Sequence, residues 1–392
     1  MWEGRWCWRP IYNAPAGVDG EPVCLMHSRN PNKDQQAFQE EFERILKESG
    51  EGVADFSLFV FPKADFQNRE FIPKCIFWRA TFPEGAVFFR TSLTRQADFT
   101  AATFTKRAVF LETKFRQEAN FRGAVFTQEA EFREATFTQE ANFRDATFTQ
   151  WANFGEARFM QEADFVKATF SQQANFSEAT FAQEADFFET TFTQGTSFGG
   201  ARFTQGASFL WARFMQKANF FEAAFTQRAN FTGAKLDKEA DFRVATFGTD
   251  AWFRETKFRN DGQGIGPVFS QALFEKPERV EFYQAYLGQA LFHNCDVSKF
   301  VFSNVSCDRL TGVGNRHTIQ SFCESVAMLE CGSPRGRRER ISAGRLSGKK
   351  FHKPSRAEEN LLWQLRLRRW NQAGLGLRYG ATRGGCSRWR LV

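Results

Sequence analysis

Phenylalanine returns at positions 99, 104, 110, 115, 121, 126, 132, 137, 143 and 148, in alternating steps of five and six residues. The unit is therefore eleven residues. From Ala64 to Asp261, 18 units run without a gap, and their first ring position is Phe in all 18. The second is Phe in 16, with Leu93 and Leu236 in the other two. An α-helix is excluded, because steps of five and six turn it by about 140° and 240° and would throw the rings to opposite faces. Two residues before almost every ring stands a small side chain, usually Ala, with Cys75, Thr91, Thr113, Thr190, Thr196 and Thr256 as substitutes and Arg69 as the misfit. Residues i−2 and i share one face of an extended segment, so small-x-Phe is a strand signal. The next ring can point inward again only after a bend. Four short sides close one coil of two units, which predicts 22 residues per turn. A three-sided coil would favour a uniform hexad, and the five-residue steps argue against it.

The composition follows from that geometry. The chain holds 50 Phe and only 4 Tyr. A narrow coil has room on each side for one ring and one small residue, and a Tyr there would bury a hydroxyl without a partner. Backbone amides pair between coils, so the chain needs no helix to satisfy them. The formal charge of +7 is unevenly placed: residues 331–392 hold 16 Lys or Arg against 3 Asp or Glu, whereas residues 97–261 hold 22 acids and 19 bases. Basic character belongs to the tail, and the repeat is close to neutral.

The flanks differ from the repeat. Phe38, Phe42, Ile45 and Leu46 form the stripe of an amphipathic helix between about 32 and 49, with Asn32 or Asp34 as cap and Gly50 as stop. The domains expected are an N-terminal cap with that helix over 1–53, the repeat over 54–305 with a Gly-rich loop near 262–267, and a basic, unstructured tail over 306–392. Strict pentads through Phe282, Leu287, Phe292, Val297 and Phe302 close the repeat. No run approaches the ~18 apolar residues of a membrane helix. The N-terminal MWEGRWCWRP lacks a signal-peptide core, and the eight cysteines show no paired framework, so a reduced, cytoplasmic setting is expected.

Ala141-Asn142-Phe143-Arg144-Asp145 and Ala163-Asp164-Phe165 resemble the A(D/N)(L/F)xx motif of the pentapeptide repeat family, over about 54–305. The resemblance implies an all-β solenoid, a right-handed quadrilateral β-helix, here with an N-terminal helical cap. Two departures stand out: the regular sixth residue implies a bulged corner in each half coil, and the Asp/Asn slot is often something else, as at Thr147, Arg158 and Val125. Family activities include mimicry of DNA by an acidic rod that occupies a topoisomerase, which the near-neutral repeat does not favour.

Candidate chemistry is sparse. Cys24 and His27, with Cys7, are the candidates for a metal or redox site in the cap. Cys295 occupies an inward small slot and reads as packing. The glutamates recurring at the end of the unit read as solvated faces. The glutamines from Gln117 to Gln227, one every eleven residues, read as side-chain ladders at a corner. No P-loop, dinucleotide fingerprint or hydrolase motif occurs, so no catalytic residue, cofactor or enzyme activity is expected. The expected role is a repeat scaffold for protein–protein interaction, its partner unknown or a second copy. The alternative is nucleic-acid-related: topoisomerase protection by the rod or binding by the tail. The candidate contact surface is the column after the first Phe of alternate units, Thr100, Arg122, Arg144, Val166, Phe188, Leu210, Thr232 and Arg254. Val166, Phe188 and Leu210 are consecutive apolar members, with Trp211 beside them.

Overall fold

A computed structural model describes residues 9–12, 18–20, 22–259 and 266–306 apart from 289, 293, 296 and 298, with the backbone of Leu377–Gly380 and Arg388–Leu391. Most of the tail expected over 306–392 thus lies outside the described residues, as do Cys7, His293, Cys307 and His317. The two C-terminal strands pair antiparallel.

The repeat forms a parallel β-solenoid. Ala119 pairs with Ala97 on one side and Ala141 on the other, a step of 22 residues in each direction. Strands of mostly two residues collect into four sheets of 12, 9, 8 and 10 members, one per side of the coil. In one coil these are face 1 (Ala97–Asp98), face 2 (Thr103–Phe104), face 3 (Ala108–Val109) and face 4 (Lys114–Phe115). The four-sided, 22-residue coil expected from the Phe spacing is the one observed.

The rings fill the axis. Phe143 lies between Phe121 and Phe165 with centroids 4.9 Å apart and planes 1° and 2° from parallel. That spacing is the strand spacing, so the coil dictates the stack. Phe132 and Phe154 meet the same ring edge-on at 5.4 and 5.3 Å, the arrangement aromatic quadrupoles favour. Alanines such as Ala141 and Ala146 are fully buried beside it.

The alternation of five and six has a local cause in two kinds of corner. After the first ring, the N–H of Ala146 donates to the carbonyl of Phe143 at 3.1 Å, with Asp145 at φ 57°. This is the pattern of a type II turn, which needs a left-handed third residue. Asn142 braces it by accepting the N–H of Arg144 at 3.0 Å. Asn120, Asn153, Asp164, Asn175 and Asp186 do the same in their own units. The Asp/Asn slot exists because a short acceptor side chain reaches the N–H two residues on. Thr147, Arg158 and Val125 precede the second ring and lead into the six-residue corner, where no such turn forms. At that corner Thr127, Thr149, Thr193 and Thr204 instead donate their hydroxyls to Phe carbonyls one coil back. A threonine in an inward small slot is satisfied similarly: Thr91, Thr113, Thr190 and Thr256 donate at 2.6–2.7 Å to the carbonyls of Phe66, Phe88, Phe165 and Phe231.

The glutamine ladders are not found. Gln117 to Gln227 stand at the six-residue corners, and no bond between two of these glutamine side chains is seen among the described residues. A solvated corner gives an amide little reason to order. A ladder does form on face 3, where side chains rise straight from paired strands: Asn153 donates to Glu131 at 2.7 Å and Asn175 to Asn153 at 2.9 Å.

Helix α1, Gln35–Ser49, closes the N-terminal end. Asp34 caps it by accepting the N–H of Ala37 at 2.9 Å, and Gly50 ends it at φ 50°. Phe42 packs on Phe56 at 4.7 Å and Phe66 at 5.3 Å, so the helix shields the first rings of the axis. Arg69, the sequence misfit, belongs to this junction. It pairs with Glu43 of α1 at 2.8 Å while its guanidinium covers Phe42 and Phe71. Near the C-terminal end the coil changes length. Thr246 pairs with Leu273 and Ala251 with Val280, steps of 27 and 29 that absorb the Gly-rich stretch and a short 3₁₀ turn at Pro277–Arg279. Glu281 then pairs with Val301, a step of 20 that matches the strict pentads.

Candidate functional site

Two places in the fold hold the residues singled out from sequence. The first lies under α1. The Cys24 Sγ is 3.1 Å from His27 Nδ1, and His27 Nε2 is 3.2 Å from the carbonyl of Ser57. A carbonyl only accepts, so Nε2 carries the proton and Nδ1 faces the thiol. Burial lowers the His27 pKa, with the Ser57 bond opposing it. Lys33, which the sequence did not flag, is buried beside them. Its ammonium donates to the carbonyls of Leu25 at 3.0 Å, Ser28 at 2.9 Å and Val60 at 2.5 Å and lies 4.6 Å over the Phe38 ring. Burial pulls it down to about 7. Three donors meeting three acceptors make Lys33 a tie between the segment before α1 and the first coil. Among the described residues no group of three or more His, Cys, Asp or Glu is placed to hold a metal. The two candidates Cys24 and His27 are brought together, and Cys7 lies outside the described residues. Cys75 fills its inward slot, and burial pushes its thiol up to about 12. Cys295 packs against the core.

The second place is the corner between faces 1 and 2. The strands Ala163–Asp164, Ala185–Asp186 and Ala207–Ser208 pair in register, so Val166, Phe188 and Leu210 stand on three successive coils. Their backbones are spoken for: the carbonyls of Val166, Phe188 and Leu210 accept the N–H groups of Asp145, Lys167 and Glu189. The N–H groups of Val166 and Phe188 go to Asp164 and Asp186, so a partner meets these two rungs through their side chains. Here the expectation of an apolar trio facing solvent needs one correction. Val166 is 3 % exposed, so it packs into the rod surface. Phe188 and Leu210 are half-buried, and Trp211 is 45 % exposed. Trp211 occupies the left-handed turn position at φ 58°, and its indole lies across Gly233 on the next coil. A Cβ at Gly233 would sit 2.5 Å from the indole Cε3. The sequence signal for this contact was available, since Gly233 follows Trp211 by one coil of 22 residues.

The family follows from this coil and its motif. The model of pentapeptide repeats (9 copies) matches residues 88–136, 121–169 and 165–213. Residues 88–213 belong to the pentapeptide repeat family. Among solved structures this pentapeptide repeat protein is similar to HetL, a pentapeptide repeat protein involved in heterocyst differentiation regulation from the cyanobacterium Nostoc sp. strain PCC 7120. The identity is 13 %, over 62 % of this chain and 89 % of that one, with a TM-score of 0.26. It is also similar to QnrB1, a plasmid-mediated fluoroquinolone resistance protein, at 14 % identity over 64 % of this chain and 97 % of that one, with a TM-score of 0.23. No curated protein sequence matches the chain. Among the described residues no helix is long and apolar enough to cross a membrane.

Proposed function

We propose that this pentapeptide repeat scaffold binds a protein partner through the corner of Phe188, Leu210 and Trp211, without enzyme activity of its own. The observation that carries this reading is Trp211. A bulky residue in the left-handed region costs ~1 kcal/mol relative to Gly, and here it leaves an indole half in water beside two further apolar rungs. Within the column from Thr100 to Arg254 the other members are Thr or Arg, at Thr100, Arg122, Arg144, Thr232 and Arg254, while aromatic residues return only towards the two ends of the rod, at Trp78 and Tyr283. Aromatic side chains in such positions are the usual anchors of protein interfaces. Residues 54–305 would act as one rod carrying the face, with residues 1–53 covering its start. A cytoplasmic setting fits eight cysteines that show no paired framework in the sequence.

The test compares the wild-type chain with Phe188→Ser/Leu210→Ser/Trp211→Ala in affinity capture from the native host and in sedimentation. The variant should keep its melting point and lose one partner, or self-association, that the wild type retains. Identical partners and identical sedimentation would sink the reading. A second reading rests on the +13 of residues 331–392: nucleic acid bound by the tail, with an affinity that falls steeply in salt. Gel retardation by the full chain, abolished at high salt, would favour it over the protein partner.

A further inference from the structure

The surface leading to Phe188 is acidic. Glu118, Glu140, Glu162 and Glu184 stand on four successive coils at the corner entering face 1, about 4.8 Å apart. Asp164 and Asp186 follow on face 1 itself, each two residues before the apolar column and each accepting the N–H of its column residue. These carboxylates crowd one another. Burial, then Glu140, Asp164, Glu184 and Asp186, raise the Glu162 pKa. Burial, with Asp164 and Glu184 contributing, raises that of Asp186. The cations nearby are engaged: Arg144 with Asp164 at 2.9 Å, Lys167 with Glu189 at 3.7 Å, Arg228 with Glu184 at 3.4 Å. Glu140, Glu162 and Asp186 have no ion pair among these, so the strip beside Phe188 keeps an excess of negative charge.

The same chain carries the complement. Residues 361–370, LLWQLRLRRW, combine four Leu and two Trp with Arg366, Arg368 and Arg369 and contain no acid. An apolar step bordered by carboxylates calls for an apolar segment bordered by guanidiniums. Reach is not limiting. The strand Val301–Ser303 lies five places along the face 1 sheet from Ala185–Asp186, or ~24 Å at the usual strand spacing. The stretch from there to Leu361 would average ~40 Å end to end even as a random coil. Tethering also supplies an effective concentration on the order of millimolar, so modest contacts suffice.

We propose that residues 361–370 dock in cis on the corner of Phe188, Leu210 and Trp211, with their arginines against the Glu162 and Asp186 strip. The tail then occupies the face until a partner displaces it. This rests on the reading of that corner as a docking surface and adds its resident occupant.

The experiment uses the full chain alone, with the photo-crosslinking analogue p-benzoylphenylalanine in place of Phe188, irradiated, digested and mapped by mass spectrometry. The expected product is a monomer in which position 188 is joined to a peptide from 361–370. Its yield should drop several-fold at high salt and in Arg366→Glu/Arg368→Glu/Arg369→Glu. Cross-links joining position 188 of two copies would overturn the proposal in favour of a dimer face. A yield no higher than that of the same probe at Thr100, on a polar rung of the same column, would overturn it as well. The two readings fail separately. Loss of a captured partner on changing Phe188, Leu210 and Trp211, without the cis cross-link, removes only the tail; the cis cross-link without that loss removes only the external partner.

Discussion

Replacing Phe143 with Ala and with Leu tests the ring stack most directly, because the two variants differ only in how much of the axis they empty. Phe143 is fully buried, stacked on Phe121 and Phe165 and met edge-on by Phe132 and Phe154. Loss of the ring forfeits ~2–3 kcal/mol of transfer free energy. A cavity of roughly 100 Å³ adds ~2 kcal/mol if the neighbours stay in place. They are held there, because each coil is tied above and below by backbone bonds such as Phe121 N–H to Asn142 O at 2.6 Å and Phe143 N–H to Asp164 O at 2.6 Å. The Ala variant should therefore lose ~4–5 kcal/mol, near the top of the usual range. Leu fills most of the volume, and Leu93 and Leu236 already sit fully buried in ring positions. Phe143→Leu should lose ~1–1.5 kcal/mol. Denaturant melts followed by far-UV circular dichroism give both numbers, provided the slope with denaturant is unchanged; a changed slope would mean that half the rod unfolds separately. Equal losses, or an Ala loss below ~1 kcal/mol, would mean the rings do not form a continuous, rigid column.

Three further outcomes follow from the corners and the cap. Asn142→Ala removes the acceptor for the Arg144 N–H and should cost ~1 kcal/mol, whereas Thr147→Ala, at the slot that braces no turn, should change melts by less than ~0.5 kcal/mol. Gly233→Ala places a Cβ 2.5 Å from the Trp211 ring at φ 67°, so the indole must leave its seat. A shifted Trp211 Nε1–H resonance with a loss of ~1 kcal/mol is expected, and an unmoved resonance would refute the packing. Hydrogen bonds from Arg44 and then Arg9 hold the Glu41 carboxyl at about 2, below its ordinary 4.5. The unfolded chain takes up that proton first as pH falls, so the stabilisation is present above ~4.5 and lost on the way down through ~2. Glu41→Gln should flatten that limb by ~1 kcal/mol, the pair being partly solvated, and an unaltered acid limb would show the pairs to be idle.

Legibility in the sequence tracked how completely a position is determined by its neighbours. Inward positions were readable because a ring and a small residue are the only contents a coil this narrow admits. The same repetition gave the 22-residue turn, while the cap helix was legible from its own stripe of Phe38, Phe42, Ile45 and Leu46. The Asn142 slot was visible as a motif, but its restriction to one of the two rings needed the turn at Asp145. The glutamine series misled, because regular spacing follows from the repeat whether or not the side chains interact. Lys33 was missed since nothing in its neighbours announces burial: three carbonyls from separate segments create its site only when α1 folds onto the first coil. Val166 was misjudged for a related reason. Its column points outward, yet a short branched side chain on the rod surface can be covered by the larger residues around it.

Those failures bear on where function sits in a rod of this kind. The carbonyls of Val166, Phe188 and Leu210 at the corner of faces 1 and 2 are committed to the neighbouring coil, and each inward slot is committed to the stack. Substitutions there report on folding. Outward side chains are almost free of structural demand, and most are the polar residues that water selects. Trp211 is under no demand from the stack, stands in a backbone conformation unfavourable to it, and lies on a glycine whose lack of a side chain makes room for its ring. Lys167, Glu189 and Glu255 take the same left-handed position with polar side chains, so what sets Trp211 apart is an apolar ring in water. If Trp211→Glu, matching the glutamates at the equivalent turn positions Glu189 and Glu255, leaves the melting point within ~0.5 kcal/mol of wild type, the indole is dispensable for stability. Its presence then has to be accounted for by what it touches outside the rod. A loss above ~1.5 kcal/mol would instead assign Trp211 to the packing of Gly233, and the case for a docking face would then rest on Phe188 and Leu210 alone.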